Sequence, residues 1–87
     1  PLRHLVRPDQ QEEALIELRL RLAQGLRARR TRQRMTQAQL AAAIRSSQSR
    51  VAKMEAGDPT VSLDLLVRSL LTLGASSTDL GKIIAAR

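Results

Sequence analysis

The chain has 87 residues, and its composition excludes several classes of protein. It has no cysteine and a single histidine, so disulfide frameworks, cysteine nucleophiles and Cys-ligated zinc are excluded, and we expect no catalytic group, metal or cofactor. The chain also lacks Phe, Tyr and Trp, which removes the stacking surfaces used to bind unpaired bases. The absence of cysteine fits a reducing cytoplasm, and no apolar run is long enough to cross a bilayer, so we expect a cytoplasmic protein without membrane partners.

The net charge of +7 is concentrated in one segment. Residues 18–54 hold ten basic residues and no acidic one, whereas both flanking segments carry acidic residues. Thirteen of the fifteen basic residues are arginines, whose planar guanidinium suits phosphate and guanine. Such a segment favours binding to a polyanion, of which duplex DNA is the commonest, although a solvated helix face or an anionic membrane surface are alternative interpretations.

The first predicted element is a long helix over residues 10–33, after an N-terminal arm of residues 1–9. Asp9 is the predicted N-cap, because Glu12 follows it at the capping-box spacing and Pro8 disfavours helix in the residue before it. Leucines recur on one face at helical spacing, in a stripe that is wide for one small core. Part of this stripe is expected to contact another chain; the alternative is that it only fills the core.

Two short helices are predicted over residues 36–57. Thr36 and Gln39 repeat the capping-box spacing, and the first of these helices is predicted to end near Arg45. The serine pair after Arg45 offers the next cap. Gly57 is predicted to end the second helix in a left-handed conformation.

The last predicted helices lie within residues 62–87. Ser62 caps the fourth helix, which ends at Gly74, and Ser76 with Asp79 begins the fifth. No segment alternates apolar and polar residues as a strand does, so the predicted fold class is all-α, with five helices in one domain that spans the chain.

Four short segments carry a resemblance to a known family: TQAQLA at 36–41, SQSRV at 47–51, EAG at 55–57 and SLDLL at 62–66. Their polar, apolar and glycine positions are similar to those of the Xre or phage-repressor-like helix-turn-helix family, over about residues 26–75. The resemblance implies a five-helix repressor-like fold, here with an extended first helix, and sequence-specific binding to duplex DNA by a transcriptional regulator rather than an enzyme.

The resemblance implies that the second short helix reads DNA bases in the major groove. It places Gln48, Ser49 and Lys53 at base-reading positions, with Arg50 between them reading a base or holding the backbone. These side chains face the groove if the two apolar residues of the same helix face inward. Glutamine pairs with adenine, and arginine or lysine reaches guanine acceptors. The alternative interpretation is that they are ordinary solvent-facing residues.

Other residues are implied to hold the DNA backbone or to stabilise the fold. Gln37 resembles the phosphate-clamping glutamine of the family, with an ordinary first-turn residue as the alternative. Arg30 corresponds to an arginine that pairs with a glutamate, here Glu55, and also faces phosphate. Three further arginines are expected to contact phosphates, namely Arg27, Arg34 and Arg45. Glu55 and Gly57 are expected to stabilise the fold.

Arg45 departs from the family pattern, which usually has glycine at this position of the turn. A positive φ there would cost a residue with a β-carbon about 1 kcal/mol. A phosphate contact by Arg45 would offset this cost. If φ at Arg45 is negative, there is no strain for such a contact to offset.

Two biological roles are left open by the sequence. The similarity to HigA-type antitoxins predicts an autorepressor that also binds a RelE-like toxin through the acidic, apolar start of its first helix. A free-standing phage-type or metabolic repressor without a toxin partner is the alternative. In either role a homodimer on a palindromic operator is expected, because two half-sites mirror a twofold protein. Residues 80–84 or the first helix would supply the dimer contact.

Overall fold

A computed structural model describes residues 5–86 as five helices without a strand, which confirms the all-α prediction. The helices are α1 (Pro8–Arg32), α2 (Gln37–Ala43), α3 (Gln48–Glu55), α4 (Leu63–Thr72) and α5 (Ser77–Ala85). Residues 1–4 of the predicted arm and residue 87 lie outside the described residues. None of these five helices has both the length and the apolar character that a bilayer span requires.

Helix α1 begins two residues earlier than predicted, because Pro8 starts the helix instead of preceding it. Arg7, not Asp9, is the N-cap residue, and Pro8 is the first helical residue. Proline fits this position well, since its φ is already helical and its missing N–H would have no partner there. The Gln10 side chain accepts a hydrogen bond of 3.3 Å from the Arg7 backbone N–H. Asp9 lies in the first turn, where its charge is favourable near the helix N-terminus.

The N-termini of the other four helices agree with the predicted caps. Each cap hydroxyl accepts a hydrogen bond of 3.1 Å from the backbone N–H three residues later, at Thr36, Ser47, Ser62 and Ser76. These bonds satisfy backbone donors that the first turn of a helix leaves unpaired. Because the caps are local in sequence, the starts of α2 to α5 depend little on the rest of the fold.

Helices α1 to α4 all end in the same hydrogen-bonded motif. The second residue after each helix has a positive φ: 58° at Arg34, 56° at Arg45, 73° at Gly57 and 87° at Gly74. In each case the next residue donates its N–H to the carbonyl five residues earlier, at 2.8 to 3.1 Å. This is the Schellman motif, for which glycine is the usual residue. The left-handed conformation predicted for Gly57 and considered for Arg45 is confirmed, whereas that of Arg34 was not foreseen.

The core lies against the C-terminal half of α1. The largest fully buried apolar side chains come from α1, α2, α3 and α4, namely Leu22, Leu26, Leu40, Val51, Met54, Leu66 and Leu70. Further toward the N-terminus of α1, Leu15 is 42% exposed and Ile16 is 58% exposed. The apolar stripe of α1 therefore fills the core only in part, and its first half extends beyond the core.

A buried ion pair joins α1 to the end of α3. Arg30 donates from Nε to Glu55 Oε2 at 2.5 Å and from Nη2 to Oε1 at 2.8 Å, while its Nη1 donates to the Met35 carbonyl at 2.7 Å. The side chains of Arg30 and Glu55 are only 11% and 5% exposed. The hydrogen bonds to Glu55 raise the pKa of Arg30 above its ordinary value, despite the burial. The predicted pairing of these two residues is confirmed.

We expect Glu55→Gln to lower the free energy of unfolding by about 3 kcal/mol, because it leaves the buried guanidinium of Arg30 without a counter-charge. Urea unfolding followed by circular dichroism measures this change. Glu17→Gln is the matched control, since Glu17 pairs with Arg21 on the surface of α1 and its loss should cost less than about 1 kcal/mol. Equal effects of the two substitutions would contradict the structural role of the buried pair.

Replacing Arg34 or Arg45 by glycine should raise the free energy of unfolding by about 0.5 to 1 kcal/mol, because glycine adopts a positive φ without strain. Gly74→Arg provides the reverse control, since a β-carbon at Gly74 meets no atom within 4 Å and only the backbone conformation opposes it. Thermal and urea unfolding of the three variants test this. A loss of stability in both arginine-to-glycine variants would show that the arginines make compensating contacts in the free protein.

Candidate nucleic-acid interface

Helix α3 presents one apolar face to the core and one polar face to solvent. Val51 and Met54 are fully buried, so the side of α3 opposite to them faces solvent. The residues predicted to read bases are all exposed: Gln48, Ser49, Arg50 and Lys53. The structure therefore brings these four side chains together on the surface of a single helix of eight residues.

The exposed residues of α3 do not share one direction. With about 100° of rotation per residue, Ser49 lies within about 10° of the direction opposite Val51 and Met54, and Lys53 lies about 50° from it. Gln48 and Arg50 lie at the two edges of the exposed face, at about 90° and 110°. The predicted reading face is therefore centred on Ser49, with Gln48 and Arg50 at its two edges.

Ala52 is a residue of this face that sequence reasoning missed. It is exposed and lies about 50° from the centre of the face, on the side opposite to Lys53 and closer to the centre than Gln48. Base-reading residues are recognised in a sequence by side chains that donate or accept hydrogen bonds, and alanine has neither group. Because Ala52 follows Ser49 by three residues, its spacing indicates that the two side chains are neighbours on the helix surface.

A shallow depression of about 220 Å³ lies between α3 and the loop that follows it. It is lined by Ser47, Ser49, Arg50, Lys53, Thr60 and Val61. In the same loop, Asp58 Oδ1 accepts hydrogen bonds from the Thr60 hydroxyl at 2.6 Å and from its backbone N–H at 2.8 Å. These bonds lower the pKa of Asp58, so the loop keeps a negative charge near the ammonium group of Lys53. Two cationic side chains and three hydroxyl groups thus line one open surface.

Gln37 lies at the first position of α2, beside the buried ion pair. It is half-buried, and its side-chain amide donates to Glu55 Oε1 at 3.2 Å. The amide of Gln37, the carboxylate of Glu55 and the guanidinium of Arg30 therefore form one connected group that links α2, α3 and α1. All three nitrogens of Arg30 donate within the protein, so this arginine holds the helices together, and its contact with phosphate stays a prediction.

The ten basic residues of segment 18–54 fall into two groups of different function in the fold. Four of them bond to other parts of the protein: Arg19 to the Val61 carbonyl, Arg21 to Glu17 and the Ile84 carbonyl, Arg29 to Asp79, and Arg30 to Glu55. Within residues 5–86 the other six are exposed and make no side-chain hydrogen bond or ion pair, namely Arg27, Arg32, Arg34, Arg45, Arg50 and Lys53. The second group supplies the charge that is free to attract a polyanion.

The geometry of this interface agrees with the comparison of the chain with known protein families. The helix-turn-helix family matches residues 26–80, from the second half of α1 into α5, which is more than half of the chain. No curated protein and no solved structure is significantly similar to the chain. The matched region contains the complete pair α2 and α3, with the exposed polar face of α3. The chain therefore belongs to the helix-turn-helix family, in its Xre-like form, and is a DNA-binding regulator.

Proposed function

We propose that the protein is a transcriptional repressor that recognises a specific duplex-DNA sequence by placing α3 in the major groove. The observation that carries this proposal is the exposed polar face of α3, centred on Ser49 and opposite the buried Val51 and Met54. Gln48, at one edge of this face, has the donor and acceptor needed for adenine, and Lys53 and Arg50 suit guanine. Arg50 also lies near enough to the edge of the face to hold the DNA backbone.

We assign the positioning of the domain on DNA to Gln37 and to exposed arginines. The N-terminal turn of α2 has free backbone N–H groups that favour a phosphate oxygen, and Gln37 lies at this turn. Arg27, Arg34 and Arg45 are exposed and have no partner within residues 5–86. Phosphate contacts by these side chains are independent of base sequence, and they orient α3 in the groove.

The strained conformation of two of these arginines supports the assignment. Arg34 and Arg45 are the only non-glycine residues with positive φ between residues 5 and 86, at positions where Gly57 and Gly74 occupy the equivalent sites of α3 and α4. Strained residues of this kind cluster at binding and catalytic sites. An arginine that costs stability in the free protein and gains a phosphate contact in the complex fits this pattern.

We expect Gln48→Ala to reduce the preference for the specific duplex over a shuffled duplex by about 1 to 3 kcal/mol, because a base contact is lost. The specific duplex is obtained by selection from random sequences, and affinities are measured by fluorescence anisotropy over a salt series. Arg45→Gly is the comparator: it should weaken binding to both duplexes and reduce the slope of log affinity against log salt by about one.

Two results would contradict this division. Equal weakening of both duplexes by Gln48→Ala would show that Gln48 holds only the backbone. Absence of any preferred duplex for the wild-type protein, at low as well as physiological salt, would remove the proposal of sequence-specific recognition itself.

We further propose that the protein acts as a homodimer. Dimeric binding follows from the geometry of repressors, whose half-sites lie about one helical turn apart on a palindromic operator. One candidate surface is a groove of about 670 Å³ between α1 and α5, with Leu20, Gly25 and Ile83 among its lining residues. Ile84 lies next to this groove and is 43% exposed. These features favour residues 80–84 together with α1 as the dimer contact.

The first half of α1 supports the role of an antitoxin that represses its own operon. This segment precedes the region matched by the family, and it exposes Leu15 and Ile16 beside four acidic residues: Asp9, Glu12, Glu13 and Glu17. An acidic surface with apolar side chains complements a basic protein, as a RelE-like toxin would be. A free-standing repressor that uses the same half of α1 only between its own subunits is the alternative.

Ile16→Asp separates the two roles, because it places a charge on the exposed stripe of α1 without changing α3. In the antitoxin role, the variant keeps its DNA affinity and its dimeric mass but no longer co-purifies with a co-expressed RelE-like ribonuclease from the neighbouring gene. Ile84→Asp is the matched variant, and it should convert the dimer to a monomer in analytical ultracentrifugation. A lone gene without such a neighbour, or a monomer produced by Ile16→Asp, would favour the free-standing repressor.

A further inference from the structure

Ala52 is the one apolar side chain that α3 exposes to solvent. The other exposed residues of this helix are Gln48, Ser49, Arg50 and Lys53, all of which carry groups that form hydrogen bonds. Ala52 follows Gln48 by four residues and Ser49 by three, so the three side chains are neighbours on the helix surface. A single exposed alanine is common in proteins. Ala52 is of interest because it lies inside the predicted reading face, where it would meet the edges of the bases.

The major groove contains one apolar feature that a methyl side chain can match. Among the four unmodified bases, only thymine presents a methyl group in the major groove, at C5, beside the hydrogen-bond donors and acceptors of the base edges. A methyl group placed against one of those polar edges would remove water from it without replacing the lost hydrogen bond. An alanine in the reading face therefore favours a methylated pyrimidine and disfavours other bases at the position that it contacts.

The short side chain of Ala52 also determines how the contact is made. Its methyl group is attached directly to the backbone, so it has no rotamer to adjust, whereas Lys53 and Arg50 keep long flexible side chains. An alanine at this position lets the backbone of α3 approach the base edges, and Gln48 and Ser49 reach their own bases from the same approach. A contact by Ala52 consequently fixes the depth of α3 in the groove as well as one base.

We propose that Ala52 contacts the C5 methyl group of a pyrimidine in each operator half-site and so determines part of the sequence specificity. This inference rests on the proposed insertion of α3 in the major groove. Thymine and 5-methylcytosine carry the same methyl group at the same ring position, and both would satisfy the contact.

The test uses the full protein and the duplex selected for its specific binding. Each thymine of one half-site is replaced in turn by uracil, which pairs identically but lacks the methyl group, and the affinity of each duplex is measured. We expect one thymine whose replacement weakens wild-type binding about fourfold, the value for one buried methyl-sized group. Ala52→Gly should bind the thymine and uracil duplexes equally at this position.

Two controls separate the methyl contact from a general weakening of α3. Ala42→Gly removes an exposed methyl group from α2 and carries a similar helix-propensity cost, and it should keep the thymine preference of the wild type. At the methyl-sensitive position, 5-methylcytosine and cytosine, each paired with guanine, are then compared. If the wild-type protein prefers 5-methylcytosine to cytosine, the protein recognises the C5 methyl group itself, whether thymine or 5-methylcytosine carries it.

The outcomes distinguish this inference from the proposed function. If no thymine is sensitive to uracil, or if Ala52→Gly retains the sensitivity, the assignment of Ala52 is overturned while sequence-specific binding stands. The wild-type measurement decides the first of these even if the glycine variant does not fold. If the wild-type protein selects no duplex at all, the proposed function fails, and the assignment of Ala52 fails with it.

Discussion

The buried pair of Arg30 and Glu55 fixes the geometry on which the DNA-binding surface depends. It joins the last turn of α1 to the last residue of α3, and the amide of Gln37 connects the same carboxylate to the first turn of α2. Neither charge can be left alone in a site so little exposed to water, so the two helices keep a fixed relation to α1. The buried apolar residues of α2 and α3, which share one core, also hold these two helices together.

The basic segment of the chain has two physical functions that its net charge does not distinguish. Arg29 and Arg30 are examples of the first, because they pair with Asp79 and Glu55 and hold α1 against α5 and α3. Arg45 and Lys53 belong to the second, because they are exposed and make no ion pair within residues 5–86. Only the second group contributes strongly to attraction of a polyanion, since a paired charge is largely neutralised at a distance.

Two of the helix ends contain strained residues that lower the stability of the fold. The same left-handed position follows α1, α2, α3 and α4, and it is held by glycine in two cases and by arginine in the other two. At Gly57 a β-carbon would also lie 2.7 Å from a methyl group of Leu20, so the Leu20 side chain would have to move aside. Both arginines lie in the turns next to α2. We relate the stability lost to strain in these turns to the phosphate contacts proposed for the two side chains.

The local features of the fold could be predicted from the sequence because they depend on neighbouring residues. The caps at Thr36 and Ser62 involve bonds across three residues, and the left-handed turn at Gly57 follows from its place after α3. The same local reasoning was wrong at the start of α1, where Pro8 fits the first helical position better than the position before the cap. The inward face of α3 followed from the spacing of its two apolar residues.

The sequence by itself determined the five helices, the caps of α2 to α5 and which side of α3 is buried, because these follow from bonds and spacings within one helix. Only the tertiary structure decided which residues face other elements. It buried Arg30 and left Ile16 exposed, although both lie on the same helix in strongly patterned sequence. Helical periodicity continues along the whole of α1, whereas Leu22 is its first buried residue. A pattern within one helix carries no information about where the neighbouring helices end.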